Sequence, residues 1–130
     1  MNEFCPIPRW ELLRRELKNL EPEEFKAIAA SDPDIVVFDV RTVEEYEQGR
    51  ICGAQSLDYF ASDFLDRLLS LDPEKTYFVY CGTGRRSVRV CTLMRNAGLP
   101  HVFHLHGGLN AWKRHFAEKS GSSSGGPVFG

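Results

Sequence analysis

Thr76-Tyr77-Phe78-Val79-Tyr80-Cys81-Gly82-Thr83-Gly84-Arg85-Arg86-Ser87 joins an unbroken apolar run to a turn rich in glycine and arginine. The run up to Tyr80 is β-branched and aromatic, the pattern of a strand covered on both faces. Beyond the turn, Val90, Leu93, Met94 and Ala97 fall at the i, i+3, i+4, i+7 spacing of a helix packed on a sheet, which Gly98 and Pro100 close.

The same alternation extends in both directions. Upstream, Ile35-Val36-Val37-Phe38 within Asp34 to Val40 reads as a second buried strand. Thr42, with Glu45 three residues on, is a capping box that opens a short helix ended by Gly49. Ala54 to Leu57 is a further short strand, and Ala61, Phe64, Leu65 and Leu68 mark the apolar face of the next helix. Near the N-terminus, Trp10, Leu13, Leu17 and Leu20 after Pro8, and Phe25, Ile28 and Ala29 after Pro22, predict two helices. Downstream, Val102 to Leu105 is a strand that leads through Gly107-Gly108 into a helix carrying Leu109, Trp112 and Phe116. Alternating strands and helices predict an α/β fold, a mainly parallel sheet with helices on both faces.

At 130 residues the chain holds one domain. Its boundaries read as a helical extension over 1–19 packed on a domain over 20–119, then a flexible glycine- and serine-rich tail over 120–130, native or left by cloning. With 42% hydrophobic and 26% charged residues, the composition is that of a globular protein and excludes a collagen, a disulfide miniprotein and a basic polyanion-coating protein. The net charge of −2 hides an asymmetry: Met1 to Asp66 holds fifteen acidic and seven basic side chains, whereas Arg67 to Gly130 holds three and nine. An anion site is therefore expected in the second portion, where Arg85, Arg86 and Arg89 are concentrated beside one loop. The acidic first portion opposes a nucleic-acid track. No apolar run reaches the roughly 20 residues of a membrane span, and an acid stands where a secretion signal is basic, so a cytoplasmic location is expected. Reduced thiols suit that compartment, and Cys5, Cys52, Cys81 and Cys91 read as free.

Cys81 stands at the carboxyl end of a strand, where open parallel sheets bind ligands. Gly82 and Gly84 permit the loop to curl until its amides point inward as an anion nest. The start of a helix, with Arg85 and Arg86 beside it, adds positive charge. All of these favour thiolate over thiol, which makes Cys81 the candidate nucleophile.

Cys81 to Ser87, together with Asp39-Val40-Arg41, Glu45-Tyr46, Gly49 through Ala54, Gly107-Gly108-Leu109 and Ala111-Trp112, resembles the rhodanese-like sulfurtransferase family over about Leu20 to Phe116. The resemblance implies a single-domain rhodanese with a sheet of about five strands and Cys81 as catalytic cysteine, with Gly82, Thr83, Gly84, Arg85, Arg86 and Ser87 forming the active-site loop. The implied reaction moves a sulfane sulfur from thiosulfate or a persulfide donor, through a Cys81 persulfide, to cyanide in vitro or a thiol in the cell. No metal, nucleotide or organic cofactor is implied. The expected partners are a small anionic sulfur donor and a thiol or protein acceptor, without nucleic acid or membrane, for a monomer or weak dimer. Two other readings are a non-catalytic binding or regulatory module and a cysteine phosphatase. The loop separates the last: four residues intervene between Cys81 and Arg86, where cysteine phosphatases have five.

Departures and secondary candidates complete the reading. Gly49-Arg50-Ile51-Cys52-Gly53-Ala54 differs from the family's usual Gly-His-Ile-Pro-Gly-Ala at Arg50 and Cys52, and Cys52 is either a resolving thiol for Cys81 or a space-filler. Asp39 and Arg41 either line the crevice or form an ion pair that fixes the loop. His106 is a candidate for the mouth of the site; with His101 and His104 it lacks the further ligand a metal requires.

Overall fold

In the computed structural model, which describes residues 6–120 and 128–129, the chain runs α1 (Arg9–Arg15), β1 (Lys18–Leu20), α2 (Pro22–Ser31), β2 (Val36–Asp39), α3 (Val43–Gln48), β3 (Arg50–Ile51), β4 (Gln55–Ser56), α4 (Phe64–Leu69), β5 (Tyr77–Tyr80), α5 (Arg85–Asn96), β6 (Val102–Leu105), α6 (Gly108–Ser120) and β7 (Val128–Phe129). Five strands form one parallel sheet in the order β1-β6-β5-β2-β4, in agreement with the expected α/β architecture. A separate two-stranded pairing sets Arg50 opposite Val128 and Ile51 opposite Phe129. The remainder of the glycine- and serine-rich segment, 121–127 and 130, lies outside the described residues, as does Cys5.

The continuous apolar strands are explained by what covers them. Because side chains alternate across a strand, Val36 and Phe38 of β2 and Tyr77 and Val79 of β5 enter one core cluster, closed by Phe64 and Leu68 of α4 and Val90, Cys91 and Met94 of α5. Val37, Phe78 and Tyr80 enter the other, closed by Phe25 of α2 and by Leu109 and Trp112 of α6. Phe25 is wholly buried, with its ring centroid 4.9 Å from that of Phe78 and 6.0 Å from that of Trp112. Burial of such a ring contributes about 2 to 3 kcal/mol. Cys81 continues the phase of Tyr77 and Val79 and therefore lies on the α5 side of the central strand.

Three local expectations give way to tertiary packing. The helical spacing of Trp10, Leu13, Leu17 and Leu20 does not continue through the segment: α1 ends at Arg15, and Lys18–Leu20 becomes the edge strand β1, with Lys18 opposite Phe103 and Leu20 opposite Leu105. Leu17 and Leu20 still meet apolar neighbours, but in different core clusters. Ala61 precedes α4, and Leu65 on that helix is exposed, because a helix of six residues buries only the stripe of Phe64 and Leu68. Leu93 is likewise exposed at the edge of the α5 contact face. The α3 capping box is present as read: Glu45 N–H donates to Thr42 Oγ1, and Thr42 N–H to Glu45 Oε1.

Candidate active site

β5 delivers Cys81 to the carboxyl edge of the sheet, and the chain turns there into α5. Gly84 makes the turn possible: its φ of 102° lies in the left-handed region that favours glycine, and it occupies the N-cap position of α5. A glycine cap offers no side chain to the first amides of the helix. The sulfur takes that place, accepting from Gly84 N–H at 3.1 Å and from Ser87 N–H at 3.3 Å, with Ser87 Oγ also 3.3 Å away. Two amides and a hydroxyl thus converge on one sulfur at the positive end of a helix dipole.

α6 holds the back of the loop. Leu109 N–H donates to Cys81 O at 2.7 Å and Asn110 N–H to Gly82 O at 2.9 Å. The helix approaches this closely only because Gly108 has no side chain: a Cβ there would sit 2.6 Å from both carbonyl oxygens. The expected Gly107-Gly108 turn therefore has a steric reason as well as a conformational one.

Behind the sulfur, Ser87 Oγ lies 2.7 Å from His104 Nε2, and His104 Nδ1 lies 2.9 Å from Asn19 Oδ1. Ser87 and His104 are fully buried. Burial lowers the His104 pKa to about 4, against the opposing effect of its contact with the Gly84 carbonyl, so the ring is neutral at physiological pH. Cys91 is also buried, and desolvation, with a smaller contribution from Cys81, pushes its thiol well above the ordinary range. It is core, as its place beside the apolar face of α5 suggested.

Charge at the rim is arranged in pairs. Arg86 bonds Glu45 at 3.0 and 3.3 Å, and its guanidinium carbon stands 5.9 Å from the Phe60 ring. The bonded Arg86, helped by the Thr42 amide and opposed by partial burial, holds Glu45 at about 2. Arg85 does not face the sulfur: its guanidinium lies over the Trp10 ring, 4.9 Å from the centroid, and ties α5 to α1. Asp39 is wholly buried and bonds Arg41 through both carboxylate oxygens; Arg41 also donates to Gly49 O. Of the two roles open to this pair, the geometry gives the ion pair, with Arg41 beside Gly82 of the loop. His106 turns to Glu21 at 2.9 Å and is partly exposed, adjacent to Gly107, which approaches Gly84. Cys52 is free and exposed, whereas Cys81 is buried. Gly82, Thr83 and Gly84 form the turn itself, Thr83 exposed at its tip.

Asn19 and the inward role of His104 are absent from the sequence reading. His104 carries a signal, a polar residue inside the otherwise apolar run Val102 to Leu105; Asn19 carries none. Two clefts of about 450 and 510 Å³ lie elsewhere, one beside Phe38, Asp63 and Arg67, the other beside Asp34, Gln55 and Lys75, and no residue of the Cys81 loop lines either. Among the described residues no cluster of His, Cys, Asp and Glu is arranged to hold a metal, and no helix is long and apolar enough to cross a membrane.

Comparison with known proteins places residues 21–115 in the rhodanese-like domain family. A sulfurtransferase of Allochromatium vinosum is 28% identical over 99 residues, covering 76% of this chain and 91% of that protein. A tRNA uridine(34) hydroxylase of Cytophaga hutchinsonii is 35% identical over 99 residues, 74% of this chain, but the match spans only 31% of the hydroxylase. Among solved structures, a rhodanese-like domain protein from Staphylococcus aureus superposes with a TM-score of 0.65 at 27% identity, covering 74% of this chain and 91% of that one.

Proposed function

The chain belongs to the rhodanese-like domain family, and from that premise we propose that it is a sulfurtransferase in which Cys81 carries a sulfane sulfur from thiosulfate or a persulfide donor to a thiophilic acceptor. The observation that carries this reading is the convergence of the Gly84 and Ser87 amides on Cys81 Sγ at a helix N-terminus. In the first half-reaction the lone pair of the Cys81 thiolate forms a bond to the outer sulfur of thiosulfate. The donor's own sulfur–sulfur bond breaks, and its electron pair leaves on sulfite. A second nucleophile then attacks the outer sulfur of the Cys81 persulfide, and Sγ departs as thiolate. Negative charge is present on or next to Sγ throughout, and fixed amide donors stabilise it without reorganisation.

The loop supports sulfur transfer over phosphate-ester hydrolysis: four residues intervene between Cys81 and Arg86, one fewer than in cysteine phosphatases, which suits a ring closed around a single sulfur atom. Incubation with thiosulfate is expected to add one sulfur atom to the peptide containing Cys81, detected by mass spectrometry, and to give thiocyanate when cyanide follows. Cys81→Ser abolishes both. Hydrolysis of an aryl phosphate without sulfur uptake would instead make the protein a phosphatase, and neither activity would leave a binding or regulatory module.

A further inference from the structure

We propose that Ser87, His104 and Asn19 form a relay that accepts the proton of the Cys81 thiol as the sulfur becomes nucleophilic, Ser87 touching the sulfur and His104 and Asn19 acting through it as positioning residues. The inference rests on the reading of Cys81 as a sulfur nucleophile.

The hydrogen bonds fix the direction of the relay. Asn19 Nδ2 donates to Arg14 O at 2.9 Å and to Leu17 O at 3.0 Å. Backbone carbonyls only accept, so the amide is oriented with Oδ1 towards His104. Oδ1 also only accepts, and the ring nitrogen 2.9 Å from it, Nδ1, therefore bears the proton. In a neutral imidazole Nε2 is then bare and accepts the Ser87 hydroxyl at 2.7 Å; the Gly84 carbonyl, 3.3 Å from Nε2, favours the other tautomer, but its contact is longer than the 2.9 Å Asn19 bond that holds the proton on Nδ1. With its proton committed to His104, Ser87 Oγ presents a lone pair to Cys81, and the contact at 3.3 Å is S–H donating to Oγ. Cys81 to Ser87, Ser87 to His104 and His104 to Asn19 all donate the same way.

A shift along this chain balances. The S–H proton passes to Oγ while the hydroxyl's own proton passes to Nε2; the S–H bonding pair stays on sulfur, and nothing is oxidised or reduced. The thiolate then receives three donors, the Gly84 amide, the Ser87 amide and the Ser87 hydroxyl. The new Nε2–H faces Ser87 Oγ and the Gly84 carbonyl, the latter at 3.3 Å, so each ring nitrogen has an acceptor in place for the imidazolium. Charged neighbours are mostly neutralised. Arg14 of α1 and His106 face the ring and are bonded to Glu11 and Glu21; Arg86 and Arg41 near the sulfur are bonded to Glu45 and Asp39; Cys91 of α5 stays a thiol. The thiolate is thus the anion that balances a charge on His104.

The test is iodoacetamide alkylation of the full chain from about pH 5 to about pH 9, read on the peptide containing Cys81, for wild type, Ser87→Ala, His104→Gln and the double variant. Each single variant is expected to slow alkylation near neutral pH by about ten-fold or more. Because His104 acts through Ser87, the double variant loses no more than Ser87→Ala alone. Wild-type rates in the single variants, faster alkylation of His104→Gln because its serine is free to donate to sulfur, or losses that multiply in the double variant would overturn the relay. Nitrogen-15 NMR of unmodified wild type supplies a measurement independent of variant folding: His104 protonated on Nδ1 is expected, and a proton on Nε2 instead refutes the relay. Alkylation requires no thiosulfate, so a chain that alkylates as described yet takes up no sulfur refutes sulfur transfer and leaves the relay standing.

Discussion

Gly108→Ala tests whether the α6 terminus positions Cys81. The new Cβ would stand 2.6 Å from the Cys81 and Gly82 carbonyl oxygens, closer than the 3.0 Å that real Cβ contacts respect, so the loop must retreat by at least 0.4 Å. The two carbonyls accept the Leu109 and Asn110 amides, and retreat weakens both bonds, about 1 kcal/mol each. A further 1 kcal/mol or so comes from placing a side chain at φ 65°. The total is about 3 kcal/mol, read as a fall in unfolding free energy by urea titration. Since misplacement of about 1 Å costs on the order of 100-fold in rate, a displacement approaching half that should slow sulfur loading of Cys81 by roughly ten-fold. Gly98→Ala is the matched control: φ is 95° and nothing lies within 4 Å of the added Cβ, so it incurs only the backbone term, about 1 kcal/mol, with sulfur loading unchanged. Equal stability losses in the two variants, with wild-type loading in both, would refute the steric reasoning.

Two other outcomes follow from the charge pairs. Arg41→Ala strands the buried Asp39 carboxylate and should cost about 3 kcal/mol in urea unfolding, whereas Arg86→Ala, which breaks a largely solvated pair, should cost no more than about 1 kcal/mol; similar losses in the two would contradict the assignment of Asp39–Arg41 as the structural pair. Glu45 is held near 2, below its ordinary 4.5, so its contribution is complete at neutral pH and is lost as pH falls from about 4.5 towards about 2. Glu45→Gln should therefore flatten the acid limb of the stability curve over that window, and an unchanged limb would show that the pair adds nothing there.

Expectations drawn from local patterning fared differently from those that needed a distant partner. The Thr42–Glu45 box was legible because its partners are three residues apart and their geometry follows from helix entry alone. The paired positive charges of Arg85 and Arg86 were legible as residues but not as directions: one guanidinium is drawn to Trp10 of α1 and the other to Glu45 of α3. Leu17 and Leu20 kept helical spacing in a segment that turns extended at Lys18, since pairing with β6 satisfies its backbone groups and outweighs a weak local propensity.

By itself the sequence determined the alternating α/β order, the two-sided burial of the central strands, and the placing of Cys81 on a glycine-hinged loop before a helix. Each is written in periodicity or in residues a few positions apart, and local sterics and solvent exclusion read them directly. Only the tertiary structure decided what stands behind the sulfur. Asn19 and His104 are 85 positions apart and Ser87 and His104 are 17 apart, and they meet because β1 pairs beside β6 while α5 packs on the same face of the sheet. No local interaction energy favours that meeting before the sheet has formed. Cys81 and Ser87 belong to one loop and the helix it opens, whereas Asn19 and His104 stand behind them only once β1 and β6 have paired.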